Sequence, residues 1–191
     1  GEGSMFLWAP ILWLAWRTDH PYRWSVRVPG ASYPQLSIDG SMLFVGSANH
    51  GVYGIDTGKG AVKWKWPPFA AHGSIYTTPA LQLHDSSVVY IGDQMNGLYA
   101  IQTATGKLKW KQQLGKRSAR HSRASSNSIS QIIATNSTTF FALGATVYAV
   151  RSSDGVFMWK HSSHAIQRGC AHTSTRVLGP PTLSTDSRTL Y

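Results

Sequence analysis

The whole acid inventory of this 191-residue chain is eight carboxylates: Glu2, Asp19, Asp39, Asp56, Asp85, Asp93, Asp154 and Asp186. General acid–base chemistry and hard-cation binding both need such groups to converge. Most of these fall instead at turn positions, where a short acidic side chain bonds its own backbone. Asp93 is the exception, because it follows Gly92 at the end of an apolar run with Asn96 close behind, which makes Asp93 and Asn96 the weak candidates for holding a ligand. The eight histidines include one close pair, His161 and His164, with Cys170 and His172 nearby. Zinc would require all of them to meet; the expectation is ordinary loop residues and no metal site. Cys170 is the single cysteine, so no internal disulfide forms, and its Gly-Cys-Ala setting suits a small filler better than a nucleophile. No phosphate-cradling glycine loop and no Gly-x-Ser-x-Gly elbow occurs. No catalytic residue emerges.

What must position these residues is a repeat. Three times a small residue is followed two places on by a polar one, six places on by Gly and ten places on by Trp. The copies are Gly54-Asp56-Gly60-Trp64, Ala100-Gln102-Gly106-Trp110 and Ala149-Arg151-Gly155-Trp159. A tyrosine precedes each small residue: Tyr53, Tyr99 and Tyr148. The tryptophans stand 46 and 49 residues apart, a period that suits a four-stranded propeller blade. Within the second unit, Val88-Val89-Tyr90-Ile91 reads as a strand, Asn96-Gly97 as a hairpin turn pair and Leu98 to Ile101 as the returning strand. Lys107-Leu108-Lys109-Trp110-Lys111 alternates at period two, so Leu108 and Trp110 are expected to face inward and the lysines water. A first strand opens the first, second and partial last units at Pro34, Pro79 and Pro181, where a strand-leading proline gives up no ladder bond. Trp24 reads as the close of a preceding blade.

The expected fold is therefore all-β, a partial β-propeller of four-stranded antiparallel blades. Three blades are complete (about 32–66, 75–112 and 128–162), and two are partial, one ahead of residue 32 and one at 173–191. Residues 1–23 form an apolar N-terminal segment, and 24–191 carry the repeats.

These residues resemble the pyrroloquinoline-quinone (PQQ) repeat family of quinoprotein dehydrogenase-like β-propellers. The likeness is carried by the family's 11-residue tryptophan-docking motif, whose spacing is intact in all three copies. Asp56 and Thr105 fit the family pattern, whereas Gln102 and Arg151 depart from it. The resemblance implies a structural docking role for Trp64, Trp110, Trp159, Gly60, Gly106 and Gly155. A ring at the end of an outer strand can lie across the neighbouring blade and bury area that a lone blade leaves wet. Repetition points the same way, since a binding site needs each residue only once.

Two functions follow as expectations. The first is a non-catalytic scaffold with no cofactor that binds a protein or peptide partner. The second is part of a PQQ- and calcium-dependent alcohol or sugar dehydrogenase. The second needs an acid-rich calcium site and a carboxylate base, and the repeats hold no Glu; nor can one cysteine form the vicinal disulfide of quinoprotein alcohol dehydrogenases. A blade count near four is low for a closed ring, so either the chain is a fragment of a larger propeller or a second copy completes the ring. Family resemblance alone favours an extracytoplasmic home.

Charge adds one more surface. Eighteen Lys and Arg give a net charge of +10, and many of them flank the tryptophans on outer strands. Lys116, Arg117, Arg120 and Arg123 cluster instead in a polar loop between units, as a candidate for weak contact with an anionic surface. No aromatic residue interleaves them, which argues against specific nucleic-acid binding. Met5 to Trp16 is the longest apolar run. It is broken by Pro10, is shorter than the roughly 20 residues a bilayer needs, and lacks the basic start and cleavage site of a signal peptide.

Overall fold

The computed structural model describes residues 23–49, 51–67, 74–75, 77–114, 129–144, 146–162 and 182–184. Twelve strands and no helix are found among them. The first unit is the meander β1 (Gln35–Leu36), β2 (Met42–Ser47), β3 (Gly51–Asp56) and β4 (Val62–Trp66), each strand antiparallel to the next. The second is β5 (Ala80–Gln82), β6 (Asp85–Gly92), β7 (Gly97–Gln102) and β8 (Leu108–Gln113). The third is β9 (Ile133–Ala134), β10 (Thr138–Leu143), β11 (Thr146–Arg151) and β12 (Phe157–Ser162). We call these blades 1, 2 and 3. Blades 2 and 3 are fused into one eight-stranded sheet, because β5 and β9 lie parallel with Gln82 opposite Ala134. The partial propeller expected from the repeat is the fold observed.

Strand faces explain where the core lies. The central strands of blade 2 are β-branched and aromatic on both sides, as strands packed between two other sheets must be. Phe44, Val52 and Trp66 of blade 1 meet Val89, Ile91, Tyr99 and Ile101 of blade 2. The other face of blade 2, with Val88, Tyr90, Leu98 and Trp110, meets Phe141 and Val150 of blade 3. Tyr90 and Tyr99 are wholly enclosed, one on each side of the same sheet.

Two local expectations need correction. Leu108 is 45 % exposed, because the register of β8 slips against β7 between Ala100 and Ile101. This extra residue in the outer strand is a β-bulge, which breaks the two-residue alternation. The same slip recurs at Gly54/Ile55 and Ala149/Val150. Asn96-Gly97 is not a two-residue turn either. Asp93 N–H donates to the Gly97 carbonyl and Asn96 N–H to the Asp93 carbonyl, so the turn runs from Asp93 to Asn96 and Gly97 already pairs in β7 with Gln113. Residues 1–22, the basic loop and most of 173–191 lie outside the described residues.

Candidate functional site

Asp93 terminates β6 and is 3 % exposed. One carboxylate oxygen accepts the N–H groups of Met95 and Gly97 at 2.8 and 2.7 Å, and the other accepts the Tyr99 hydroxyl at 2.7 Å. Both oxygens are thus committed to closing the β6–β7 turn and anchoring a core tyrosine. Asn96 occupies the left-handed region (φ 63°), which Asn tolerates better than most residues. The two residues are brought together in one turn, in which the Asn96 Oδ1 is buried without a hydrogen-bond partner. Among the described residues no three His, Cys, Asp or Glu side chains gather to hold a metal. His161 lies on β12, while His164, Cys170 and His172 lie outside the described residues, as do Lys116, Arg117, Arg120 and Arg123.

The repeated residues assemble into three equivalent nodes. The indole N–H of Trp24 donates to the Thr57 carbonyl at 2.7 Å, that of Trp64 to Thr103 at 2.7 Å, and that of Trp110 to Ser152 at 2.9 Å. In every case the acceptor stands three residues before a motif glycine, and the ring covers that glycine. A Cβ on Gly106 would sit 2.8 Å from the Trp64 ring, and its φ of 69° is one that L side chains rarely adopt. Gly60 meets Trp24 and Gly155 meets Trp110 in the same way. The outer strands β4 and β8 therefore insert Trp64 and Trp110 into the following blade. Trp110 is 8 % exposed and Trp159 is 45 % exposed. Among the described residues Trp159 lies against Phe140, with centroids 5.9 Å apart and the rings tilted by 45°, and no described glycine turn receives it.

Thr57, Thr103 and Ser152 complete the nodes, although the motif reading passed over them. Their hydroxyls donate to the carbonyls of Gly40, Ser86 and Thr135 at 2.6, 2.5 and 3.0 Å. Each hydroxyl ties the turn before the outer strand to the segment leading into, or opening, the second strand of its own blade. The signal was available, since a hydroxyl residue follows Asp56, Gln102 and Arg151 in all three copies. The Ser152 carbonyl also receives the Tyr90 hydroxyl at 3.2 Å, and burial pushes the Tyr90 phenol above its usual pKa.

Most of the described lysines lie along the wet outer strands. Lys63 pairs with Asp56 at 3.1 Å, while Lys65 and Lys111 lie over the rings of Tyr53 and Tyr99 at 5.4 and 5.2 Å. At the inner edge, Asp39 accepts from the hydroxyls of Ser37 and Ser41 at 2.6 and 2.8 Å, and these bonds lower its pKa to about 2. Between the inner strands runs a groove of about 490 Å³, lined by Gln35, Leu36 and Ile38 of blade 1, residues 78–84 of blade 2 and residues 131–134 in and just before β9 of blade 3.

Residues 14–189 match the family model described as outer membrane protein assembly factor BamB. No curated protein matches the chain. Among solved structures, BamB from Moraxella catarrhalis is similar at 17 % identity, with a TM-score of 0.60 over 86 % of this chain and 43 % of that one. The structure of U3-55K is similar at 9 % identity and a TM-score of 0.60, over 74 % of this chain and 42 % of that one. A mitotic checkpoint complex chain matches at 17 % identity and 0.60, over 84 % and 44 %. At these identities the likeness shows the propeller fold. The chain spans less than half the length of the solved structures it matches.

Proposed function

The chain belongs to the family described as outer membrane protein assembly factor BamB, and on that premise we propose that it is a non-catalytic propeller scaffold that binds a protein or peptide partner. The observation that carries this reading is the state of Asp93. The one acid that the repeat did not explain is buried, with both oxygens engaged by Met95, Gly97 and Tyr99. A carboxylate held this way organises a turn and has little capacity left for substrate or calcium. The nodes supply rigidity, which a scaffold needs. The family's description also supports an extracytoplasmic location, and cell fractionation tests it.

Titration with PQQ and Ca²⁺, followed by tryptophan fluorescence, is the decisive experiment. No saturable quenching is expected. Quenching that saturates near one equivalent would instead make the chain part of a quinoprotein dehydrogenase. Because this chain spans 43 % of the BamB it matches, a second copy completing the ring belongs to the same reading, and sedimentation of the chain would reveal it as a discrete dimer.

A further inference from the structure

Among the described residues, the lining of the inner groove contains His84 but no Asp, Glu, Lys or Arg, in a chain of net charge +10. Three aliphatic side chains stand in or beside it largely uncovered: Leu36, Ile38 and Leu83 are 48, 65 and 41 % exposed. A surface of this kind favours apolar, uncharged matter over phosphate or an acidic partner.

The backbone along β1 narrows the choice further. Ser37 N–H donates to the Met42 carbonyl on the β2 side. Strand alternation therefore turns the polar groups of Leu36 away from β2, toward the groove, and Ile38 follows in the turn that the Gly40 N–H closes on the Ser37 carbonyl. Both meet side chains in place of another strand. The Gln35 amide donates to the Leu36 carbonyl at 3.1 Å, and Ile38 N–H donates to the Ser86 hydroxyl at 2.9 Å. At the neighbouring junction the same need is met by backbone, with Leu83 N–H donating to the Ala134 carbonyl at 2.9 Å. The β1 edge is thus held by groups that can be exchanged.

We propose that this groove binds an extended, uncharged peptide segment of a partner protein, which adds as a strand to the inner edge of β1. The segment's amides replace the Gln35 contact, and alternate apolar side chains cover Leu36, Ile38 and Leu83. The wall from Thr78 to Gln82, ahead of the turn at Leu83 and His84, offers a length of about 13 Å for an extended chain. The proposal rests on the scaffold reading and names its ligand class.

The test uses the 191-residue chain and an acetylated, amidated peptide of alternating valine and threonine, about seven residues long, titrated by calorimetry. We expect saturable one-to-one binding that changes little with salt. A peptide N-methylated at alternate amides, unable to pair with a strand edge, should bind about tenfold more weakly or worse. L36D and L83D should each weaken the parent peptide by a similar factor, and both sites are exposed enough to leave the fold intact, which circular dichroism verifies. L108D, on β8 away from the groove, should bind as the unaltered chain does. Absence of binding overturns the proposal, as does binding that survives N-methylation or both groove substitutions. Tighter binding of an aspartate-containing peptide, lost in salt, overturns it in favour of the lysine-bearing strands. If the peptide fails and PQQ still gives no response, the scaffold reading stands with another surface; a stoichiometric PQQ response removes both.

Discussion

Blades 1 and 2 join at the outer rim just as blades 2 and 3 do, with an indole donating across the junction and covering a left-handed glycine. At the inner edge the two junctions part company. Between blades 2 and 3 the first strands touch through backbone, and one sheet continues through both. Between blades 1 and 2 a serine hydroxyl makes the tie, and the sheets remain separate. The difference teaches that the repeat specifies the rim and leaves the inner edge free to vary, and variable edges are where binding surfaces arise.

The sharpest way to break this comparison is at the rim. Trp110→Ala removes a buried ring and its hydrogen bond and should cost about 3–5 kcal/mol in urea unfolding, whereas Trp159→Ala, at the half-exposed position, should cost about 0.5 kcal/mol. Equal losses would show that seating in the next blade is not what stabilises the array. Next in size is Gly106→Ala, which combines backbone strain with displacement of the Trp64 ring and should cost about 2–3 kcal/mol. Gly40 provides the control, because its φ is also positive (71°) but nothing lies within 4 Å of a Cβ there. Gly40→Ala should cost about 1 kcal/mol, and the gap between the two measures the ring contact alone. Ser152→Ala keeps the carbonyl that accepts Trp110 but deletes the hydroxyl bonds to Thr135 and Thr139. A loss of about 1–2 kcal/mol is expected, read as a shift of the thermal midpoint.

The smallest effect concerns the inner edge and acid. The folded-state pKa of Asp39 is lowered from 3.8 to about 2, so its contribution is fully present above the unfolded value and is lost as pH falls from about 4 through about 2. The corresponding turn of blade 3 relies on Thr135 and Thr138, with no carboxylate. Asp39→Asn should therefore flatten the acid limb of a stability–pH curve, while a Thr135 variant should leave its shape unchanged.

Much of the rim was legible in the sequence because a structural role performed three times leaves three copies of its residues. Gly54, Ala100 and Ala149 stand opposite Trp64, Trp110 and Trp159 in the ladder, and their small size answers to those rings. Asp93 was conspicuous for the opposite reason, as a departure from the repeat, and the departure turned out to serve a turn and a tyrosine. Leu108 was misread because a bulge is invisible to a two-residue period. The groove could not be read at all. It depends on β1 and β5 failing to pair, and such a failure is set by how two blades sit together and leaves no motif.

One property of the nodes reaches past stability. Every unit carries a plug for the blade that follows and a receptacle for the blade that precedes, Trp64 with Gly60 and Trp110 with Gly106. A stretch of DNA encoding one unit can therefore be duplicated or deleted and still leave matching halves at the new boundary. Such a chain can gain or lose blades by recombination without inventing an interface, so the number of blades is open to evolution in a way that the contents of a single blade are not.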